Sequence, residues 1–315
     1  MSDHKIILGD CIAGMKTMPD GCVQTCITSP PYFGLRDYQG GTEEIGQEQT
    51  PESYVQKMVE VFREVRRILR DDGTVWLNLG DSYANSGEFN IKTKDLMGIP
   101  WRVAFALQAD GWYLRQDIIW NKPNPMPESV TDRCTKSHEY IFLLSKKSHY
   151  YFDHEAIREP AAESSAARML RGVSDTHKNV NGAPGQTAHS MNKPRPRQFG
   201  AKVQEGTKRG DVGNTFVDTG KRNKRSVWTV TTKPFRGAHF ATFPKDLIEP
   251  CVLAGCPVGG TVFDPFTGSG TTAIVALKHN RNFIGTELNQ DYIKIAEDRI
   301  RTEIPQTLEG VFENE

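Results

Sequence analysis

The sequence predicts an α/β fold, one domain on a largely parallel sheet, interrupted by a long basic insert. Three observations predict it. Short apolar runs that end in Gly, Asp or Pro alternate with stretches of helical period. The alternation continues on both sides of a segment in which all periodicity disappears. That segment is strongly basic although the 315-residue chain has no net charge: residues 161–236 hold 15 Lys+Arg against 5 Asp+Glu, a balance of +10 that the rest offsets with −10.

Residues 5–8 read as a short apolar strand ending at Gly9-Asp10. Residues 22–28 read as a second, which Pro30 and Pro31 cannot continue because neither has an N–H to donate. Tyr54, Val55, Met58, Val59, Phe62, Val65, Ile68 and Leu69 recur at helical spacing over 51–70, and Asp71-Asp72-Gly73 stops that helix before a strand over 74–79. A second cycle gives a helix over 100–109, a strand over 116–120, a proline-rich loop and a strand over 140–144. Over 161–225 glycine, asparagine and basic residues dominate, and the stretch carries too little apolar area to order itself alone. Patterning resumes with 226–231, a helix over 245–254, a strand over 261–263, a helix over 271–279, a strand over 282–285 and a last helix over 290–303. Such alternation implies a mostly parallel sheet, with chemistry at the carboxyl ends of its strands.

Several classes are disfavoured. The start, MSDHKIILGDC, has no basic segment followed by a long apolar one, and no later run approaches membrane length, so a cytoplasmic protein without a membrane partner is expected. The six cysteines form no C-x-x-C pair, which argues for reduced thiols rather than a disulfide framework or zinc ribbon; no metal is expected.

Two motifs carry chemistry. Over 261–288, an apolar strand leads into a turn with Gly268 and Gly270, a helix opens at Thr271, and a second strand ends at Glu287. Glycines at a strand-to-helix turn let a ligand approach the backbone, and an acidic residue ending the next strand can accept ribose hydroxyls. That arrangement suits an adenosyl cofactor. It lacks the lysine of a phosphate loop, whereas a nicotinamide nucleotide, or a tight turn with nothing bound, stays compatible with the motif alone.

The second motif is Ser29-Pro30-Pro31-Tyr32. Its prolines fix the direction of the neighbouring carbonyls, and Tyr32 offers a ring on which a base can stack. An amino group on an aromatic ring is a poor nucleophile because its lone pair is delocalised. Acceptors such as Ser29 Oγ and the Pro30 carbonyl, binding its hydrogens out of the ring plane, restore that lone pair for attack on a methyl sulfonium. A proline-stiffened loop is the alternative without function, and a protease-like Ser29 lacks any G-x-S-x-G context.

Together these residues resemble the amino-type DNA methyltransferases, whose marks are an (S/D/N)-P-P-(Y/F) catalytic turn and a D-P-F-x-G-S-G-T-T cofactor turn, found here at 29–32 and 264–272. HFATFP at 239–244, KSHEYIFLLSK at 136–146 and the opening I-x-L-G-D also look like family segments. The resemblance covers most of the chain outside the basic insert. It implies a Rossmann-like S-adenosylmethionine-dependent methyltransferase fold, circularly permuted in the manner of the β group because the catalytic turn precedes the cofactor turn. The parts are then a catalytic half over 1–160, a target-recognition insert over 161–235, partly disordered without DNA, and a cofactor half over 236–315. The cofactor would be S-adenosylmethionine, held by Asp10, Phe243, Asp264, Pro265, Phe266, Gly268, Ser269, Gly270, Thr271, Thr272 and Glu287. Ser29, Pro30, Pro31 and Tyr32 would form the catalytic turn.

Double-stranded DNA is the expected partner, with Arg195, Arg197, Lys221, Arg222, Lys224 and Arg225 as its basic contacts. The target base has to be flipped out of the stack to reach the methyl donor. Phe33, the loop over 121–129 and His138-Glu139 are candidates to line its pocket beside Tyr32. Within the family, serine at the head of the turn is commoner in cytosine-N4 enzymes and aspartate in adenine-N6 enzymes, so Ser29 and HFATFP favour cytosine N4. The alternatives are an adenine-N6 enzyme, an RNA or protein methyltransferase, and an inactive DNA-binding relative. A homodimer and a cognate restriction endonuclease are further partners this reading admits.

Overall fold

Eight strands hydrogen-bond into one sheet in the computed structural model, which describes residues 2–35, 44–84, 91–161, 221–232 and 243–304. In chain order the elements are β1 (His4–Leu8), α1 (Cys11–Lys16), β2 (Val23–Thr28), α2 (Pro51–Ile68), β3 (Leu69–Leu79), α3 (Ile99–Ala109), β4 (Tyr113–Asn121), β5 (His138–Ser145), β6 (Glu159–Pro160), β7 (Lys221–Arg222), β8 (Val227–Thr229), α4 (Lys245–Gly255), β9 (Thr261–Asp264), α5 (Thr271–Lys278), β10 (Asn282–Glu287) and α6 (Gln290–Glu303). The sheet order is β1-β10-β9-β2-β3-β5-β4-β8. Every neighbouring pair is parallel except those of β5, which runs against both β3 and β4. The carboxyl ends of β1, β2, β3, β4, β9 and β10 therefore share one edge with the start of β5. Ligand sites of open α/β sheets lie at that edge.

Burial follows the two-residue period of the strands. In β3, Val75, Leu77 and Leu79 enter the core under α2 and α3, while Trp76 enters the opposite core with Trp228 and α4. All six residues of β2 are buried, as expected of a strand covered on both faces. Helix α2 starts where Thr50 and Ser53 form a reciprocal cap and Pro51 occupies the first turn. Its buried stripe is Tyr54, Met58, Val61, Phe62 and Val65.

Three differences from the sequence reading have physical reasons. Asp71-Asp72-Gly73 lies inside β3 rather than between helix and strand: pairing with β2 jumps from Val23↔Leu69 to Thr25↔Thr74, so the extra residues form an irregularity in the strand. Gly73 is needed there, since a Cβ would lie 2.5 Å from Leu69 Cγ and 2.8 Å from the Gln24 carbonyl oxygen. Helix α1 is not predicted by the sequence, because six residues containing Gly14 show no helical period; Asp10 starts it by accepting from Ala13 N–H at 2.8 Å. Residues 227–229, expected within the insert, pair instead with β4 in the main sheet, with Trp228 buried beside Trp76.

The chain divides into two compact units, Met1–Ile157 with Arg225–Glu315, and Arg158–Lys224. The first contains the whole eight-stranded sheet. In the second, the described residues form the ribbon β6/β7, closed by the Arg222–Glu159 ion pair at 2.9 Å and by Arg158 donating to the Lys221 carbonyl. Among the described residues no helix is long and apolar enough to cross a membrane, and no group of three or more His, Cys, Asp or Glu could hold a metal.

Candidate active site

The two motifs meet at the carboxyl edge of the sheet. Buried β2 delivers Thr28 to that edge, and Ser29-Pro30-Pro31-Tyr32 leaves it. Tyr54 of α2 donates its hydroxyl to the Pro31 carbonyl at 2.9 Å, anchoring the turn from below. Tyr32 donates to Glu139 Oε2 at 2.7 Å and accepts from Asn78 Nδ2 at 2.7 Å. The same amide lies 3.3 Å from Ser29 Oγ, which is itself 3.4 Å from the Tyr32 hydroxyl. Lys122 pairs with the other oxygen of Glu139 and covers the Trp120 ring at 4.3 Å from its centroid. Burial, then the Glu139 charge, push the Tyr32 phenol well above its usual range, so it stays a neutral donor.

The ring of Tyr32 rests on Gly80, where a Cβ would come within 2.6 Å of Cε2. Tyr32 is thus pinned at its hydroxyl and packed on Gly80, and it also lines the cavity that joins the two motifs. Phe33 does not line a pocket at all: it is 2% exposed, in the core 5.7 Å from Tyr54.

The cofactor turn begins at Asp264, which ends β9 and is 2% exposed. Its Oδ1 accepts from Thr28 Oγ1 at 2.6 Å and from Phe266 N–H at 3.0 Å, and its Oδ2 from Thr272 Oγ1 at 2.7 Å. Burial raises its pKa to about 6 against the pull of these donors. Asp264, assigned from the sequence to cofactor binding, lines the cavity, and its carboxylate also ties the catalytic turn to the cofactor turn. Gly268, at φ 51°, donates its N–H to Glu287 Oε2 at 2.8 Å, and Asn289 N–H reaches Oε1 at 2.9 Å. Burial raises the Glu287 pKa as well.

One cavity joins the motifs. It is lined by Asp10, Ser29, Pro30, Pro31, Tyr32, Phe243, Asp264, Pro265, Phe266, Gly268, Ser269, Thr271, Thr272 and Glu287, that is, every catalytic and cofactor residue named from the sequence except Gly270. Gly270 serves packing: at φ 77° it starts α5, and a Cβ there would lie 2.9 Å from the Ala296 Cβ of α6. Leu35, Ile45, Asn289 and Tyr292 also line the cavity and escape sequence reasoning, since none belongs to a motif. Arg299 of α6, outside the cavity lining, carries no sequence signal either; its guanidinium donates to Ser269 Oγ at 2.8 Å and Thr271 Oγ1 at 3.3 Å and fixes the turn.

The residue chemistry suits an adenosyl methyl donor. Phe243, Pro265 and Phe266 give apolar walls, Gly268 leaves the backbone bare, and each Glu287 oxygen keeps a lone pair beyond its backbone bond. Of the expected DNA contacts, Arg195 and Arg197 lie outside the described residues. Lys221 and Arg222 form β7 in the second unit, Lys224 ends that unit, and the Arg225 carbonyl accepts from Trp228 Nε1 at 2.7 Å.

The sheet, with its one reversed strand and its two motif turns around a common cavity, has the fold of the S-adenosylmethionine-dependent methyltransferases. It is shared with the PvuII DNA methyltransferase (cytosine-N4-specific), at a TM-score of 0.64 and 17% identity over 95% of this chain and 86% of that one. The putative DNA modification methylase TTHA0409 from Thermus thermophilus, complexed with S-adenosyl-L-methionine, gives a TM-score of 0.59 and 22% identity over 96% and 95% of the two chains. The N6/N4 DNA methylase family model matches residues 23–298, and the chain belongs to that family. Among curated relatives, Type II methyltransferase M.XycI of Xanthomonas campestris pv. cyanopsidis is 41% identical over 93% of this chain and 86% of its own length. Type II methyltransferase M.SmaI of Serratia marcescens is 41% identical over 94% and 90%.

Proposed function

We propose that this DNA methyltransferase transfers a methyl group from S-adenosylmethionine to cytosine N4 of a base flipped out of duplex DNA. The observation that carries the reading is the continuity of one cavity from Ser29 and Pro30 to Gly268 and Glu287. Bound S-adenosylmethionine supplies an electrophilic methyl group. Glu287 would receive the ribose hydroxyls, and Phe243, Pro265 and Phe266 the apolar parts of the donor. Ser29 Oγ and the Pro30 carbonyl would hold the amino hydrogens out of the ring plane, and the pinned Tyr32 would wall the base site. Ser29 at the head of the turn supports cytosine, as does the fold neighbour described as cytosine-N4-specific.

The permuted motif order supports a β-group enzyme in which the basic stretch over 161–235, Arg195, Arg197, Lys221, Arg222, Lys224 and Arg225 included, contacts the target DNA. Its Type II relatives support a cytoplasmic modification enzyme with a cognate restriction endonuclease. The test is incubation of unmethylated plasmid with labelled S-adenosylmethionine, followed by nucleoside analysis. N4-methylcytosine is expected. N6-methyladenine alone would overturn the choice of base, and label in RNA or protein but never in duplex DNA would overturn the substrate.

A further inference from the structure

The loop between β4 and β5 carries the most exposed large apolar side chain described: Met126 is 84% exposed. A single exposed apolar residue is ordinary on a surface, but this one is held in place. Pro125 and Pro127 flank it, and Pro123 lies three residues before it, each fixing its own φ. On one side, Asn124 is clamped to Thr232: its Nδ2 donates to the Thr232 carbonyl at 3.1 Å, and its Oδ1 accepts from Thr232 N–H at 3.0 Å. On the other, Glu128 accepts from Arg133 Nη1 at 2.7 Å and from Lys136 N–H at 3.2 Å. Met126 thus sits at a stiff tip between two anchored residues. Rigid exposure of a large apolar group does nothing for the free protein; it is suited to a partner that covers it.

The loop's position indicates the partner. Its first residue, Lys122, pairs with Glu139, which is 2.7 Å from the Tyr32 hydroxyl, so the base of the loop is part of the catalytic turn's own hydrogen-bond cluster. Met126 follows four residues later, within about 14 Å of Lys122 along even a fully extended chain. The loop leaves the same carboxyl edge of the sheet as Ser29, so a duplex that presents a base at that edge has this tip within reach, and extruding the base leaves an unfilled step in its stack. Unbranched, polarizable methionine adapts to irregular apolar gaps, and inserted apolar side chains are a known means of holding base steps open.

We propose that Met126 is a wedge, inserted into the DNA base stack beside the extruded base to hold the duplex open during methyl transfer. This rests on the DNA-methylating reading above. Once methylation has mapped a target site, the test uses two synthetic duplexes carrying it, one fully paired and one mispaired at the target base, which lowers the cost of extrusion. Met126→Ala is expected to lose about tenfold or more in kcat/KM on the paired duplex and to return to within about threefold of wild type on the mispaired one. An equal loss on both duplexes, or no loss on the paired one, would overturn the wedge. Failure of the wild-type enzyme to methylate any duplex DNA in the mapping step would instead overturn the functional reading. The unfolding midpoint should be unchanged, since the side chain touches solvent.

Discussion

Thr28→Val tests the tie between the two turns. Valine keeps the shape of threonine but removes the hydroxyl that donates to Asp264 Oδ1 at 2.6 Å. The bond is buried and its acceptor is a carboxylate. Losing such a bond costs about 1.5–3 kcal/mol, because Asp264 keeps its burial while losing a donor. The residue that moves is next to Ser29, and a displacement of about 1 Å at a reacting centre can cost a hundredfold in rate. We expect Thr28→Val to lower the urea unfolding free energy by about 2 kcal/mol and kcat by ten- to a hundredfold. The calorimetric Kd for S-adenosylmethionine should stay within about threefold, since Glu287 and Gly268 are untouched. Thr28→Ser, which retains the hydroxyl, should recover most of the rate. If Thr28→Val matches wild type in both stability and kcat, the tie contributes nothing and the reasoning fails.

Asp264→Asn checks the pH behaviour. A carboxyl whose folded pKa is about 6, above its unfolded value, carries a cost that is fully present at pH 7 and relieved as pH falls toward its unfolded value. Wild type should therefore gain up to about 3 kcal/mol relative to Asp264→Asn between pH 7 and pH 4, and parallel urea-midpoint profiles would contradict the shift. Glu287→Ala should weaken S-adenosylmethionine binding by about tenfold or more, by calorimetry, and unchanged affinity would refute its ribose role. Gly270→Ala should cost roughly 1–3 kcal/mol in urea unfolding, because it combines a left-handed φ with a Cβ 2.9 Å from Ala296.

Elements with long, regular periods are legible in the sequence. Helix α6 is predicted at its observed limits, and the other predicted strands and helices differ chiefly at their ends. Features that depend on distant residues are not legible. The close approach that requires glycine at 73 involves Gln24 on the neighbouring strand, and in sequence Asp-Asp-Gly is indistinguishable from a helix stop. The site shows the same division: both turns can be found because each is a contiguous motif at a strand end. The roles of Asp264 and Gly270 within them cannot, because the deciding partners, Thr28 and Ala296, lie far away in sequence or on another helix. Arg299 gives no signal at all, since a basic residue near the end of an amphipathic helix usually faces solvent.

The most direct measurement is of Ser29→Ala, with two readouts on one protein: N4-methylcytosine formed in duplex DNA in a single turnover, and the Kd for S-adenosylmethionine. The methylation rate is expected to fall by about a hundredfold or more, as for removal of one preorganised hydrogen-bonding group at a reaction centre, with cofactor affinity unchanged. Undiminished methylation by Ser29→Ala would contradict the assignment of the Ser29-Pro30-Pro31-Tyr32 turn as the place where the amino group is activated.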